Sequence, residues 1–189
     1  MIIKPKPQAL RETFLKGRMA ESLVHDLLHE AGHRVFRIGY ETVLPGLTEK
    51  ERIEMLHTSI GERMRTIPDF FAIDNKGNPH LVEVKFRWKP DGHENDPKLL
   101  ARLYTQWEEA IVVFVNCTER PYFRISLPPY VDKKGMLSAQ SIDEFPAFHI
   151  PDTLVEKFEE LVEKYLKPTL TTPLPKDSSF LRHKAQFFD

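Results

Sequence analysis

The sequence predicts a single α/β domain in which helices flank a mixed central sheet. Three observations predict it: a long opening segment with helical period, two strand patterns joined by a short turn rich in Asn and Gly, and a second helix running into an unbroken apolar strand. The order is helix, three strands, helix, strand. At 189 residues the chain is long enough for one full core and short for two. Residues 1–167 read as that domain, with the core at about 8–116 and a C-terminal elaboration over 117–167; the Pro-rich stretch 168–189 reads as a tail.

From Gln8 to Ala31 the row Leu10, Phe14, Gly17, Glu21, Val24, Leu28, Ala31 steps by four and three residues, the spacing of one helix face, and is expected to face the core. Gly32 tolerates the conformation that ends a helix, and Val35–Tyr40 follows as a strand. Glu41–Ile67 holds Pro45-Gly46 and a charged, weakly helical piece around Thr48–Thr58. It reads as an excursion from the core and a place for substrate contacts. Asp69–Asp74 and His80–Arg87 then have strand patterns, and Asn75-Lys76-Gly77-Asn78 between them accepts the positive φ of a tight hairpin. Beyond a polar loop with Pro90-Asp91-Gly92, Pro97–Glu109 is helical and Ile111–Asn116 has the look of a fully buried strand. Tyr122–Leu127 offers a further strand, and Thr153–Leu166 an amphipathic helix.

Composition narrows the function classes. No apolar run approaches the roughly 20 residues that a membrane-spanning helix requires. The opening MIIKPKPQAL is broken by Lys4, Pro5, Lys6 and Pro7 where a secretory signal would stay apolar, so a cytoplasmic protein without membrane contact is expected. Cys117 is the single cysteine, which excludes an intrachain disulfide or a thiolate zinc site built from this chain alone; at the exit of an apolar strand it reads as a small buried hydrophobe. A formal net charge of −1 gives no overall basic excess for tracking phosphates. Locally the balance differs: Lys4, Lys6, Arg11, Lys16, Arg18, Arg34 and Arg37 crowd the first forty positions, and acids gather over Asp152–Glu163.

Side chains alternate along a strand, so Glu83 and Lys85 leave one face of His80–Arg87 while Val82, Val84 and Phe86 leave the other. The hairpin brings Asp69, at the start of the preceding strand, toward the charged face. Two carboxylates and an ammonium then converge. Such oxygen donors suit Mg²⁺ or Mn²⁺, which favour one or two carboxylates together with waters and substrate phosphate. A metal so held polarises a phosphate and acidifies its water, and Lys85 would orient or activate that water. Glu21, an acid in an otherwise apolar row, also needs a reason, since burying an unpaired charge is costly; a boundary carboxylate reaching solvent is one.

Ile67-Pro68-Asp69 followed, after thirteen residues, by Glu83-Val84-Lys85 resembles the PD-(D/E)XK motif of the restriction-endonuclease-like nuclease superfamily, whose αβββαβ core has the element order read above. The resemblance covers about Gln8–Asn116. It implies an endonuclease that hydrolyses DNA phosphodiesters with Mg²⁺, for which Mn²⁺ substitutes. Asp69, Glu83 and the Val84 backbone carbonyl would bind the metal, and Lys85 would handle the nucleophile. Leu15-Lys16-Gly17-Arg18-Met19-Ala20-Glu21 is similar to the corresponding segment of archaeal-type Holliday junction resolvases, which implies a metal-site role for Glu21, branched DNA as substrate and a homodimer. Gln106 and Tyr104 stand where several branches support the lysine or the substrate, and a boundary Gln and a core Tyr explain them equally well. Lys16, Arg18, Arg65, Lys76, Arg87 and Lys89 are candidates for phosphate contacts.

Two other readings stand beside this one. Superfamily members can bind DNA without cleaving it, although a non-catalytic domain has no physical need to hold two acids beside a lysine. His29-Glu30-Ala31-Gly32-His33 matches the H-E-x-x-H zinc peptidase pattern, which needs both imidazoles on one helical face. A helix stop at Gly32 would leave His33 at or past the helix end. His25, four residues before His29, fits a solvent-facing polar row.

Overall fold

The computed structural model describes residues 8–43, 46, 48–90, 96–132 and 136–167. Helix α1 (Gln8–Glu30) leads into strand β1 (Arg34–Arg37). Three short helices, α2 (Tyr40–Val43), α3 (Glu49–Leu56) and α4 (Ser59–Arg65), precede the hairpin of β2 (Phe70–Ile73) and β3 (Pro79–Phe86). Then come α5 (Asp96–Gln106), β4 (Ile111–Val115), β5 (Phe123–Ser126), β6 (Gln140–Ser141) and α6 (Asp152–Tyr165). The strands form one sheet in chain order, antiparallel throughout except for β3 and β4, which α5 joins as a parallel pair. The mixed α/β architecture is the one expected.

Alternation sorts the sheet into two faces. Val82, Val84 and Phe86 of β3, with Ile111, Val113 and Val115 of β4, join buried residues of α1 and α6 in the larger core. Val112 and Phe114 join Leu100 and Leu103 of α5, together with Ala110 and Tyr130, in a smaller core on the other face. Strand β4 is buried along its whole length because it is covered on both sides. Each fully buried Val, Leu, Ile or Phe contributes roughly 1.5–3 kcal/mol, so this burial clamps the sheet between its helices.

The buried face of α1 differs from the expected row. Lys16, Ala20, Val24, Leu27 and Leu28 are buried, whereas Phe14 is 57% exposed and Glu21 lies at the boundary. A strict heptad row drifts about 20° per repeat around a straight helix, so a row correct at Val24 and Leu28 has left the core face by its first turns. Strand β1 is shorter than expected because the chain turns into α2 at Tyr40. The C-terminal elaboration belongs to the same sheet and core: β5 extends the sheet, and Val155, Phe158 and Val162 of α6 join the larger cluster. Cys117 is buried, and that burial pushes its thiol up to about 11, so it is inert at neutral pH. Among the described residues no helix is long and apolar enough to cross a membrane. Lys4, Lys6, Pro45, Asp91, Gly92 and the tail 168–189 lie outside the described residues.

Asp74 organises the hairpin that carries the charged strand. Its Oδ1 accepts from the backbone N–H groups of Lys76 and Asn78, each at 2.8 Å; its Oδ2 accepts from the Asn78 side-chain amide at 2.9 Å and faces His80 Nε2 at 3.1 Å. Gly77 takes the positive φ, +89°, that this turn requires. The Asn78 amide first, and then His80 and the backbone donors, hold the Asp74 carboxyl well below the usual carboxylate range against the opposing effect of burial. A carboxyl depressed in the folded state stabilises the fold above its unfolded value of about 3.9, and that contribution is lost as pH falls further, through the folded value. Asp74→Ala should therefore lower the melting temperature at neutral pH, with the gap to wild type narrowing as pH is taken down from about 4. Circular dichroism melts across that range test this, and a gap independent of pH would refute it.

Candidate active site

The β2–β3 register sets Phe70 opposite Val82, and one further step brings Asp69 opposite Glu83. Buried Pro68, with no N–H to donate, marks where regular pairing ends. The Asp69 side chain continues the bonding in its place: Oδ2 accepts from the Val84 backbone N–H at 2.8 Å. The Asp69 carbonyl accepts from Ile38 N–H at 3.0 Å and Gly39 N–H at 3.4 Å. Asp69 is thereby held from both sides, by the segment after β1 and by β3.

Glu83 and Lys85 stand on the α5 side of β3, beside Val112 and Phe114 of β4. The Lys85 ammonium donates to Glu83 Oε1. Burial pushes the Lys85 pKa down, but the Glu83 and Asp69 carboxylates outweigh it and the net shift is upward. Lys85 is therefore a cation at neutral pH. The hairpin brings Asp69, Glu83 and Lys85 together at its open end.

Glu21 approaches from α1. Burial first, and then the Asp69 carboxylate, raise its pKa; Arg18 at 3.4 Å and Arg37 at 3.8 Å pull it back. It does not complete a three-acid cage, since no three His, Cys, Asp or Glu side chains among the described residues form a group that could hold a metal ion. The donor set on offer is Asp69 with Glu83. Two hard carboxylates fit Mg²⁺ or Mn²⁺, which retain several waters, and do not fit zinc, whose sites draw three or four protein ligands.

Two cations expected at a DNA-facing surface are structural instead. Lys16 is 6% exposed: its ammonium donates to the carbonyls of Leu166 at 2.7 Å and Lys167 at 3.3 Å, pairs with Glu12 at 3.1 Å and lies 4.4 Å from the Trp88 ring centre. It caps the negative end of α6. Arg87 forks onto Asp96, with Nε 3.0 and 2.9 Å from the two carboxylate oxygens, and donates to the Phe86 carbonyl at 2.7 Å. It ties the end of β3 to the first turn of α5. Arg18 and Lys89 are exposed, and Arg65 is half-buried at the end of α4. Lys76 is exposed on the hairpin turn, roughly 17 Å along the strands from Asp69.

Tyr104 is 43% exposed, with its ring edge-on to buried Tyr130 at 6.3 Å. Burial, then the Glu83 carboxylate and Tyr104, push the Tyr130 phenol up to about 12; Tyr130 packs with Val112 and Phe114 on the sheet face that carries Glu83 and Lys85. Gln106 is half-buried at the end of α5. Sequence reasoning missed Trp107, whose indole N–H donates to Thr66 Oγ1 at 3.3 Å and whose ring lies 5.6 Å from the Arg63 guanidinium. A large aromatic just past an amphipathic helix was the available signal. The H-E-x-x-H pattern fails geometrically: α1 ends at Glu30, His29 is exposed, and buried His33 sets Nε2 2.7 Å from the Phe148 carbonyl.

No protein-family model matches the chain, and no curated protein matches it. Among solved structures, one similar to this chain is that of Hjc, a Holliday junction resolvase from the archaeal hyperthermophile Archaeoglobus fulgidus. It is 16% identical, and the match covers 75% of this chain and 98% of that one with a TM-score of 0.36. A superposition that loose does not bear on function, which rests on the side chains just described.

The Arg87–Asp96 fork gives a test of the structural assignment. Arg87→Ala removes the guanidinium fork from a buried carboxylate and should cost about 3–5 kcal/mol in urea unfolding. A loss no larger than that of exposed Lys89→Ala would show that the fork does not secure β3 to α5.

Proposed function

We propose that the protein is a Mg²⁺-dependent endonuclease that hydrolyses DNA phosphodiesters, with branched DNA as its favoured substrate. The observation that carries this reading is the meeting of two acids and a lysine at the open end of one hairpin, with Asp69 anchored on the Val84 N–H and Lys85 paired with Glu83. Ordinary surface charges have no reason to be anchored and partly buried together. The αβββαβ order supports the resemblance to PD-(D/E)XK nucleases, with α2–α4 as an insertion and β5, β6 and α6 as an extension.

In this reading Asp69 and Glu83 hold the metal, the Val84 carbonyl adds a neutral ligand, and Mn²⁺ substitutes for Mg²⁺. Bound metal supplies Lewis-acid polarisation of the phosphate and a more acidic water. Lys85 orients the attacking water and stabilises the negative charge that grows on the phosphate oxygens. The Val84 N–H fixes Asp69, so the site needs little rearrangement before chemistry. Glu21 acts as an auxiliary acid beside Asp69, Tyr104 and Gln106 support the substrate side, and Arg65 and Lys89 contact phosphates. A homodimer would present two such sites to a branched substrate with matching symmetry.

The test is cleavage of labelled single-stranded, duplex, flapped and four-way DNA, with and without Mg²⁺ or Mn²⁺. Cleavage should require the metal, be strongest on the four-way substrate, and fall by at least about 100-fold in Glu83→Ala and Lys85→Ala proteins that retain their fold. Cleavage that survives chelation or the Glu83 substitution would overturn the reading. Tight metal-independent binding without cleavage would make the protein a non-catalytic member of the same fold.

A further inference from the structure

The triad has a charge problem as a DNA site. Two carboxylates and one ammonium leave an excess negative charge, Glu21 adds a further acid nearby, and the Mg²⁺ of the proposed reading would do little more than balance them, with Lys85 already paired with Glu83. A polyanion must therefore be held by cations at the margin of the site. Several arginines are unsuited, because Arg18, Arg37, Arg87 and Arg120 all face carboxylates.

Arg63 differs. It lies exposed in the last turn of α4 and, among the described residues, no acid pairs with it. Its partner is an aromatic face: the guanidinium sits 5.6 Å from the Trp107 ring centre, and that indole is itself pinned by its bond to Thr66, three residues before Asp69. Trp107 packs against the small core formed around Val112, Phe114 and Tyr130, on the sheet face that carries Glu83 and Lys85. The ring thus orders an exposed guanidinium on the sheet face that carries Glu83 and Lys85. A guanidinium already ordered by an aromatic face loses less freedom when a phosphate docks, and its fork of donors matches phosphate oxygens.

We infer that Arg63, stacked on Trp107, binds a backbone phosphate of the substrate strand next to the scissile one, which makes the α3–α4 excursion a strand guide. The inference rests on the nuclease reading of the triad. Lys164 is the matched control: it is another exposed cation over an aromatic ring, 5.0 Å from the Tyr165 centre, but on α6, which covers the opposite sheet face.

The experiment measures binding of labelled duplex and four-way DNA over a range of NaCl concentrations, using Lys85→Ala protein to suppress cleavage. Added Arg63→Gln should weaken binding roughly tenfold and reduce the slope of log affinity against log salt by about 1. Arg63→Lys should keep the slope and lose part of the affinity, since an ammonium lacks the fork. Lys164→Gln should change neither. With Lys85 intact, Arg63→Gln should raise KM with little change in kcat. If wild-type protein cleaves DNA while Arg63→Gln binds like Lys164→Gln, this inference fails and the triad reading stands. If wild-type protein neither cleaves nor binds DNA, the triad reading fails and this inference with it.

Discussion

The alternation along β3 is the constraint on which the rest of the molecule depends. Val82, Val84 and Phe86 are buried on the α1 side, and Glu83 and Lys85 stand on the other. A slip of one residue would place both charges under α1 and turn the valines outward, losing the core and stranding two ions in it. Core and candidate site are therefore one register seen from two faces. Asp74 sets that register from the closed end of the hairpin, and the Asp69 carboxylate reads it out at the open end by taking the Val84 N–H.

The distribution of charge bears on how a nearly neutral chain could bind the polyanion of the proposed function. Lys16 is drawn inside to cap α6, Arg87 locks β3 to α5, and Arg120 bridges Glu159 and Glu163. These long side chains satisfy carbonyls and carboxylates within the fold, and so their charges are already engaged. In the proposed reading what would count for a phosphate is the smaller set of cations left facing solvent, and the net charge of −1 does not report it.

Much of the fold was legible because it is written in local period. The hairpin announces itself by Asn75–Asn78 between two strand patterns, β4 by five consecutive apolar residues, and α6 by its amphipathic spacing. The face of α1 was legible only in its second half, since a heptad row drifts from a helix of 3.6 residues per turn. Strand β6 spans two residues and has no pattern to read. At the site, alternation alone put Glu83 beside Lys85 and the turn brought Asp69 toward them. The partners of Lys16 and Trp107 could not be read at all, because Leu166 is 150 residues from Lys16 and Thr66 is 41 from Trp107.

The sequence by itself determined the strands, their inward and outward faces, and hence the pairing of an acid with a lysine on one side of β3. Those properties follow from backbone geometry over a few residues. Only the tertiary structure decided which cations are structural and which face solvent, that Glu21 is held by Arg18 and Arg37, and that Arg63 lies over the Trp107 ring. A long polar side chain takes whichever buried acceptor the packed helices bring within reach, and that acceptor exists only once the chain has closed on itself.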